Sequence, residues 1–130
     1  MVVFQTLLTY FYPCLEIHKS KIEEVGTYLL ESIGHPQRID YGSGHELSFI
    51  AFTIALCDVK FLDPIKNGKS DIVNIALVIL PEYLTLVRKL QKTYKFEPAG
   101  SRGVHALDDF QFIPFVWGSA QLLSIFFDLN

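Results

Sequence analysis

The chain is expected to fold as an all-α domain, a helical bundle-like piece. Apolar residues recur at helical spacing in several stretches, capping-type residues precede those stretches, and no stretch sustains a period-two alternation. At 130 residues there is room for one domain with its own core. No internal repeat or low-complexity segment interrupts it.

The first helix is announced by Ser20-Lys21-Ile22-Glu23, which has the capping-box form. Ile22, Val25, Leu29 and Ile33 follow on one face, and Gly34 supplies a left-handed stop. His35-Pro36 then makes a loop, because a residue before proline avoids the α region. After Gly42-Ser43-Gly44, residues 46–59 (ELSFIAFTIALCDV) are almost wholly apolar without alternation, which predicts a helix buried nearly all round. Asp63-Pro64 and Lys66-Asn67-Gly68-Lys69 read as turns. Ser70 or Asp71 can cap a further helix reaching towards Tyr94, with Ile72, Ile75, Ala76, Ile79, Tyr83, Leu84, Val87 and Leu90 in phase. Pro81 should kink or split it. Asp108-Asp109-Phe110-Gln111 is a second capping-box pattern, opening a helix that carries Pro114 and Trp117.

The composition is 50% hydrophobic and 19% charged, with mean hydropathy +0.29. That apolar surplus needs a membrane, a partner subunit or further chain to cover it. Net charge is −3 and no basic block exceeds Arg88-Lys89 with Lys92, which argues against nucleic-acid binding. Cys14 and Cys57 are isolated and read as reduced, buried thiols. The cytoplasm is the expected compartment, with the nucleus open. Residues 1–15 are apolar but lack the basic start and cleavage site of a signal peptide. Residues 110–127 carry no charge, yet Gln111, Pro114, Gly118, Ser119, Gln121 and Ser124 interrupt them, so a buried helix is expected and no membrane span.

Two loops can carry chemistry. In Arg38-Ile39-Asp40-Tyr41-Gly42-Ser43-Gly44-His45-Glu46, two glycines let a ligand approach the backbone, and the loop runs into a helix N-terminus whose free N–H groups favour an anion. Arg38 adds a fork of donors suited to phosphate. The plainer alternative is an ordinary Gly-Ser-Gly turn with Arg38 and Asp40 paired on the surface. The second loop, Pro98-Ala99-Gly100-Ser101-Arg102-Gly103, leads to Asp108 and Asp109. Carboxylates suit Mg²⁺, with water and phosphate oxygens completing its shell. Alternatively, Asp108 is a helix cap and Asp109 a first-turn acid. His18, His35, His45 and His105 do not fall at zinc spacings, and His45 reads as a helix-start residue. Trp117 and the phenylalanines read as core.

At these same loops the sequence resembles the phosphotyrosyl phosphatase activators, also called protein phosphatase 2A activators. The matching stretches are 28–32, 38–46 (RIDYGSGHE), 90–94, 97–104 (EPAGSRGV), 107–109 and 111–122 (QFIPFVWGSAQL). The resemblance implies core, linker and lid helices, a partner of the protein phosphatase 2A catalytic-subunit type, use of ATP and Mg²⁺, and peptidyl-prolyl cis-trans isomerase activity on proline-containing peptides. It implies nucleotide contacts at Arg38, Ser43 and Gly44, and magnesium held by the Gly103 carbonyl and Asp109. Ser43 stands where the family usually has threonine, and His105-Ala106 where it usually has Trp-Gly. Family members are longer at both ends. Residues 1–15 are set apart as a divergent apolar segment and 16–130 as an incomplete activator-like domain, whose exposed helices a second copy can cover.

Three function classes are open. The first is a regulator whose nucleotide site orders a phosphatase-facing surface. The second is a prolyl isomerase, which needs only a groove favouring the twisted amide. The third is a non-catalytic packing module that dimerises.

Overall fold

The computed structural model describes residues 19–63, 71–100 and 111–127. In chain order these form α1 (Lys19–Ser32), β1 (Asp40–Tyr41), α2 (Ser43–Asp58) and α3 (Asp71–Asn74). A π-helical turn (Ile75–Ile79), α4 (Leu80–Tyr94), β2 (Glu97–Pro98) and α5 (Ile113–Phe127) complete them. The described chain is mainly helical, as expected.

Ser20 lies inside the first turn of α1, one residue past its start, so it is not the cap that its pattern suggested. The stop at Gly34 is as expected: φ is 105°, and an added Cβ would lie 2.5 Å from the Phe96 ring. Only glycine fits both demands. α2 begins three residues before the expected start, because the Gly42 carbonyl already accepts from the His45 and Glu46 N–H groups at 2.9 and 3.3 Å.

α2 is not buried all round. His45, Glu46, Phe49, Phe52, Thr53 and Leu56 form its inner stripe, whereas Leu47 and Ile54 are 63% and 62% exposed. A uniformly apolar run carries no phase, so the sequence could not say which face looks out. α1 and α2 run antiparallel. His45 Nδ1 at the start of α2 is 2.6 Å from the Glu31 carbonyl at the end of α1, and Lys21 pairs with Asp58 at the other ends, 3.7 Å apart.

Asp71 is the first helical residue of α3, and its Oδ2 accepts the Asp63 N–H at 2.8 Å. Pro81 does not split the helix that contains it. The chain stays helical through Pro81 by inserting the π turn, in which the Leu80 N–H reaches back to the Ile75 carbonyl. A π turn is one way a helix absorbs a missing N–H and a ring clash.

α5 begins at Ile113, with Gln111 and Phe112 outside it, so the pattern at 108–111 does not open the helix. Pro114 suits this start, since proline is favoured in the first turn of a helix, where its missing N–H has no intrahelical partner to lose. Asp108 and Asp109 themselves lie outside the described residues.

The core gathers Val25 of α1, Tyr41 of β1, Phe49, Phe52 and Leu56 of α2, Leu80, Tyr83, Leu84 and Val87 of α4, and Ile113 of α5. Each such side chain contributes about 1.5–3 kcal/mol on burial. The Phe49 and Tyr83 rings stack with centroids 3.9 Å apart. Tyr83 donates its hydroxyl to the Ser32 carbonyl at 2.8 Å, and the Tyr41 hydroxyl lies 2.5 Å from it, tying α1, β1 and α4 together. Trp117 is partly buried against this cluster, in keeping with a core role. Cys57 is a free thiol as expected but only half-buried, not buried, because it lies off the inner stripe of α2; desolvation first, then Asp71 and Asp63, push it above its ordinary pKa. Cys14 lies outside the described residues.

Candidate ligand site

β1 and β2 pair in parallel, Asp40 opposite Glu97 and Tyr41 opposite Pro98. The Glu97 N–H donates to the Ile39 carbonyl at 3.0 Å and the Ala99 N–H to the Tyr41 carbonyl at 2.7 Å. A parallel ladder uses alternate residues of one strand, so the missing N–H of Pro98 costs nothing here. This bridge brings the start of the second loop against the first. An added Cβ on Gly42 would sit 3.0 Å from the Ala99 Cβ, so a side chain there would push the loops apart.

The turn entering the bridge is built by His35. Its Nδ1 accepts the Arg38 and Gln37 N–H groups at 3.1 and 3.3 Å, and its carbonyl accepts the Ile39 N–H at 2.9 Å. The turn forces Ile39 to φ 53°. A β-branched residue there is a genuine outlier, at a cost of about 1–3 kcal/mol. Sequence reasoning leaves His35 outside the site and gives Ile39, within the first loop, no role of its own. A histidine before proline gives no sign that its ring will organise a turn, and isoleucine signals the opposite backbone.

The structure divides the first loop's residues into two sets. Arg38, Ser43 and Gly44 are exposed. Among the described residues α2 has no side-chain cap at Gly42 and its leading N–H groups are open, and a Cβ on Gly44 would meet nothing within 4 Å. Tyr41, His45 and Glu46 are buried. His45 stacks on the Tyr41 ring, centroids 5.5 Å apart. Glu46 takes the Phe112 and Ile113 N–H groups on its two oxygens, at 2.7 and 3.1 Å, and thereby caps α5 from a neighbouring helix. Asp40 lies between the sets, its Oδ2 accepting from Arg38 Nε at 2.8 Å. Asp40 Oδ1 is buried with no hydrogen-bond partner among the described residues.

Gly100 is exposed with φ 107° beside Ala99. Ser101, Arg102, Gly103, Asp108 and Asp109 lie outside the described residues. Among the described residues, no three His, Cys, Asp or Glu side chains cluster to hold a metal, and no helix is long and apolar enough to cross a membrane.

Beside Ser43 and Gly44 opens a groove of about 400 Å³, walled by Leu47, Ile50, Ile113, Val116 and Trp117. Open backbone donors at one end and an apolar trough beyond suit a ligand with an anionic head and a flat apolar body.

The family model described as phosphotyrosyl phosphate activator (PTPA) protein matches residues 3–127, which takes in most of the segment 1–15. The chain is 56% identical to the serine/threonine-protein phosphatase 2A activator of Drosophila melanogaster over 99 residues, 76% of this chain and 24% of that one. It is 44% identical to the probable serine/threonine-protein phosphatase 2A activator 1 of Dictyostelium discoideum, over 88% of this chain and 36% of the relative. With serine/threonine-protein phosphatase 2A activator 2 of Candida albicans it shares 48% identity, over 82% and 28%. The chain thus spans about a quarter to a third of the length of the curated relatives it matches. A match that takes in every described element, at identities of 44–56% to these relatives, settles the lineage: the chain belongs to the phosphotyrosyl phosphate activator family.

Proposed function

We propose that the chain serves in the activation of protein phosphatase 2A-type serine/threonine phosphatases, with Mg-ATP held between the loops at 38–46 and 97–109. The observation that supports this reading most is the parallel β1–β2 bridge, which sets Glu97–Ala99, the start of the second loop, beside residues 39–41, just ahead of the N-terminus of α2. Phosphate oxygens would take the Ser43 and Gly44 N–H groups and the Arg38 guanidinium. Gly103 and Asp109 are the proposed magnesium holders, by family resemblance alone. Bound magnesium supplies charge neutralisation for the phosphates. What this chain's own residues do is bind and orient. Arg38 and the α2 amides fix the anion, and Glu46 fixes α5 against the groove. Prolyl isomerisation of a peptide partner belongs to the same proposal.

The test is stimulation of a phosphatase catalytic subunit by the chain in Mg-ATP. Stimulation that falls in Arg38→Ala supports the proposal, and wild-type chain that neither binds Mg-ATP nor stimulates ends it. Prolyl-isomerase rates on a proline peptide, measured alongside, test the enzymatic part.

A second reading, a packing module, is favoured by α5. Phe115 and Val116 on it are 72% and 61% exposed, and Leu122 and Leu123 are 58% and 60%. Exposed apolar area of that kind marks a contact surface. Light scattering that shows a doubled mass, with no nucleotide binding, would support this module over the activator.

A further inference from the structure

Arg38 and Asp40 are drawn together by a backbone conformation that nothing in the sequence demands. Ile39, between them, is left-handed. Two hydrogen bonds hold it so, its N–H to the His35 carbonyl at 2.9 Å and its carbonyl from the Glu97 N–H at 3.0 Å. The turn folds the Arg38 side chain back on its neighbour two residues on. The resulting contact uses one edge of the guanidinium, Nε to Asp40 Oδ2 at 2.8 Å. The two terminal nitrogens make no hydrogen bond among the described residues, and the side chain is 58% exposed. Asp40 is the less exposed member of the pair at 15%, backed by His45 Nε2, 3.9 Å from Oδ1. His45 is itself fixed by its Nδ1 contact with the Glu31 carbonyl.

A carboxylate beside a polyphosphate site is at first sight an error, since like charges repel. Its placement gives it another use. We propose that Asp40 is a positioning residue for Arg38. Gripped at Nε, the guanidinium loses its freedom before any ligand arrives and keeps both terminal nitrogens as a two-pronged donor for a phosphate. The strained Ile39 sets the angle of the grip. This inference rests on the anion site proposed above and assigns the residue that orders it.

The experiment is a double-mutant cycle, Asp40→Asn against Arg38→Lys, on the full chain. The readout is calorimetric affinity for inorganic tripolyphosphate and for ATP. In the wild-type background Asp40→Asn is expected to weaken both by about tenfold, although it removes a negative charge. In the Arg38→Lys background the same change is expected to leave affinity equal or tighter, because lysine has no edge nitrogen to grip. Weakening by the same factor in both backgrounds would make Asp40 a scaffold residue only. Tightening in both would make it merely repulsive. Either result overturns the inference while leaving the site standing. Wild-type chain that binds neither probe sinks the site, and the inference with it. Should Asp40→Asn fail to fold, Ile39→Gly replaces it: the relaxed turn is expected to weaken tripolyphosphate binding several-fold, and unchanged affinity overturns the inference.

Discussion

The inner and outer sides of residues 38–46 make opposite uses of one short stretch of chain. On the inner side Tyr41 is fully buried, His45 is pinned to α1 and Glu46 caps α5. On the outer side Arg38, Ser43 and Gly44 are exposed, and the first amides of α2 have no side-chain cap. The inner residues therefore act on stability, and the outer ones are left exposed where the proposed ligand would bind. What the difference teaches is that a dense run of motif residues need not be a dense run of ligand contacts. About half of this one is the mounting that keeps the other half in place.

The comparison breaks first, if it breaks, at Glu46. Glu46→Ala strands the buried Ile113 N–H of α5 and the part-buried Phe112 N–H just before it, and is expected to cost about 3 kcal/mol, two charge-assisted bonds at the low end of their range. Denaturant melts would measure it, and a loss under about 1 kcal/mol would show that α5 docks without its cap.

Alkali tests the same side. Burial raises both Tyr41 and Tyr83 well above the ordinary tyrosine range. For Tyr41 their mutual hydrogen bond partly opposes the rise and Glu46 adds to it; for Tyr83 the proximity of Tyr41 and Glu46 adds to it. Because the folded-state pKa values are raised, the stabilisation is complete below the unfolded value near pH 10 and is lost as pH climbs above it. Two such groups give a slope of up to about 2.7 kcal/mol per pH unit. Tyr83→Phe should make that slope shallower. At neutral pH it should cost about 2 kcal/mol by leaving the Ser32 carbonyl without its donor. Tyr41→Phe removes only the hydroxyl that faces Tyr83 and is expected to cost about half as much.

Much of the fold was legible because its signals are local. Periodicity marks α4, whose buried Tyr83, Leu84 and Val87 fall on one face, and Gly34 ends the turn after α1 as a left-handed glycine should. What was hidden needed partners distant in sequence. Glu46 caps a helix 67 positions away, and no capping pattern can announce that. The buried face of α2 could not be read from a run apolar on every side. The contact between the start of the second loop and the first gave no signal either, because the bridge that makes it is two residues long on each strand, too short to alternate. Nothing in Arg-Ile-Asp foretells a left-handed isoleucine.

That isoleucine supports the smallest and most discriminating comparison, because the molecule carries the same backbone conformation at a helix end. Lys95, φ 52°, closes α4 with the Phe96 N–H on the Gln91 carbonyl at 3.0 Å, and its side chain is exposed. There the left-handed residue serves only to stop the helix. Lys95→Gly should therefore relieve about 1–2 kcal/mol of conformational cost against about 0.5–1 kcal/mol of added chain entropy in the unfolded state, a net gain of about 0.5–1 kcal/mol with tripolyphosphate affinity unchanged. Ile39→Gly relieves the same cost but gives up the apolar area that its side chain, 43% exposed, still buries. Its stability should therefore stay near wild type while affinity falls. Stability gain without functional change at one position, and functional loss without stability change at the other, would separate strain that ends a helix from strain that aims a side chain. If both substitutions behave as Lys95→Gly is expected to, the Ile39 conformation is incidental and Arg38 finds its ligand unaided.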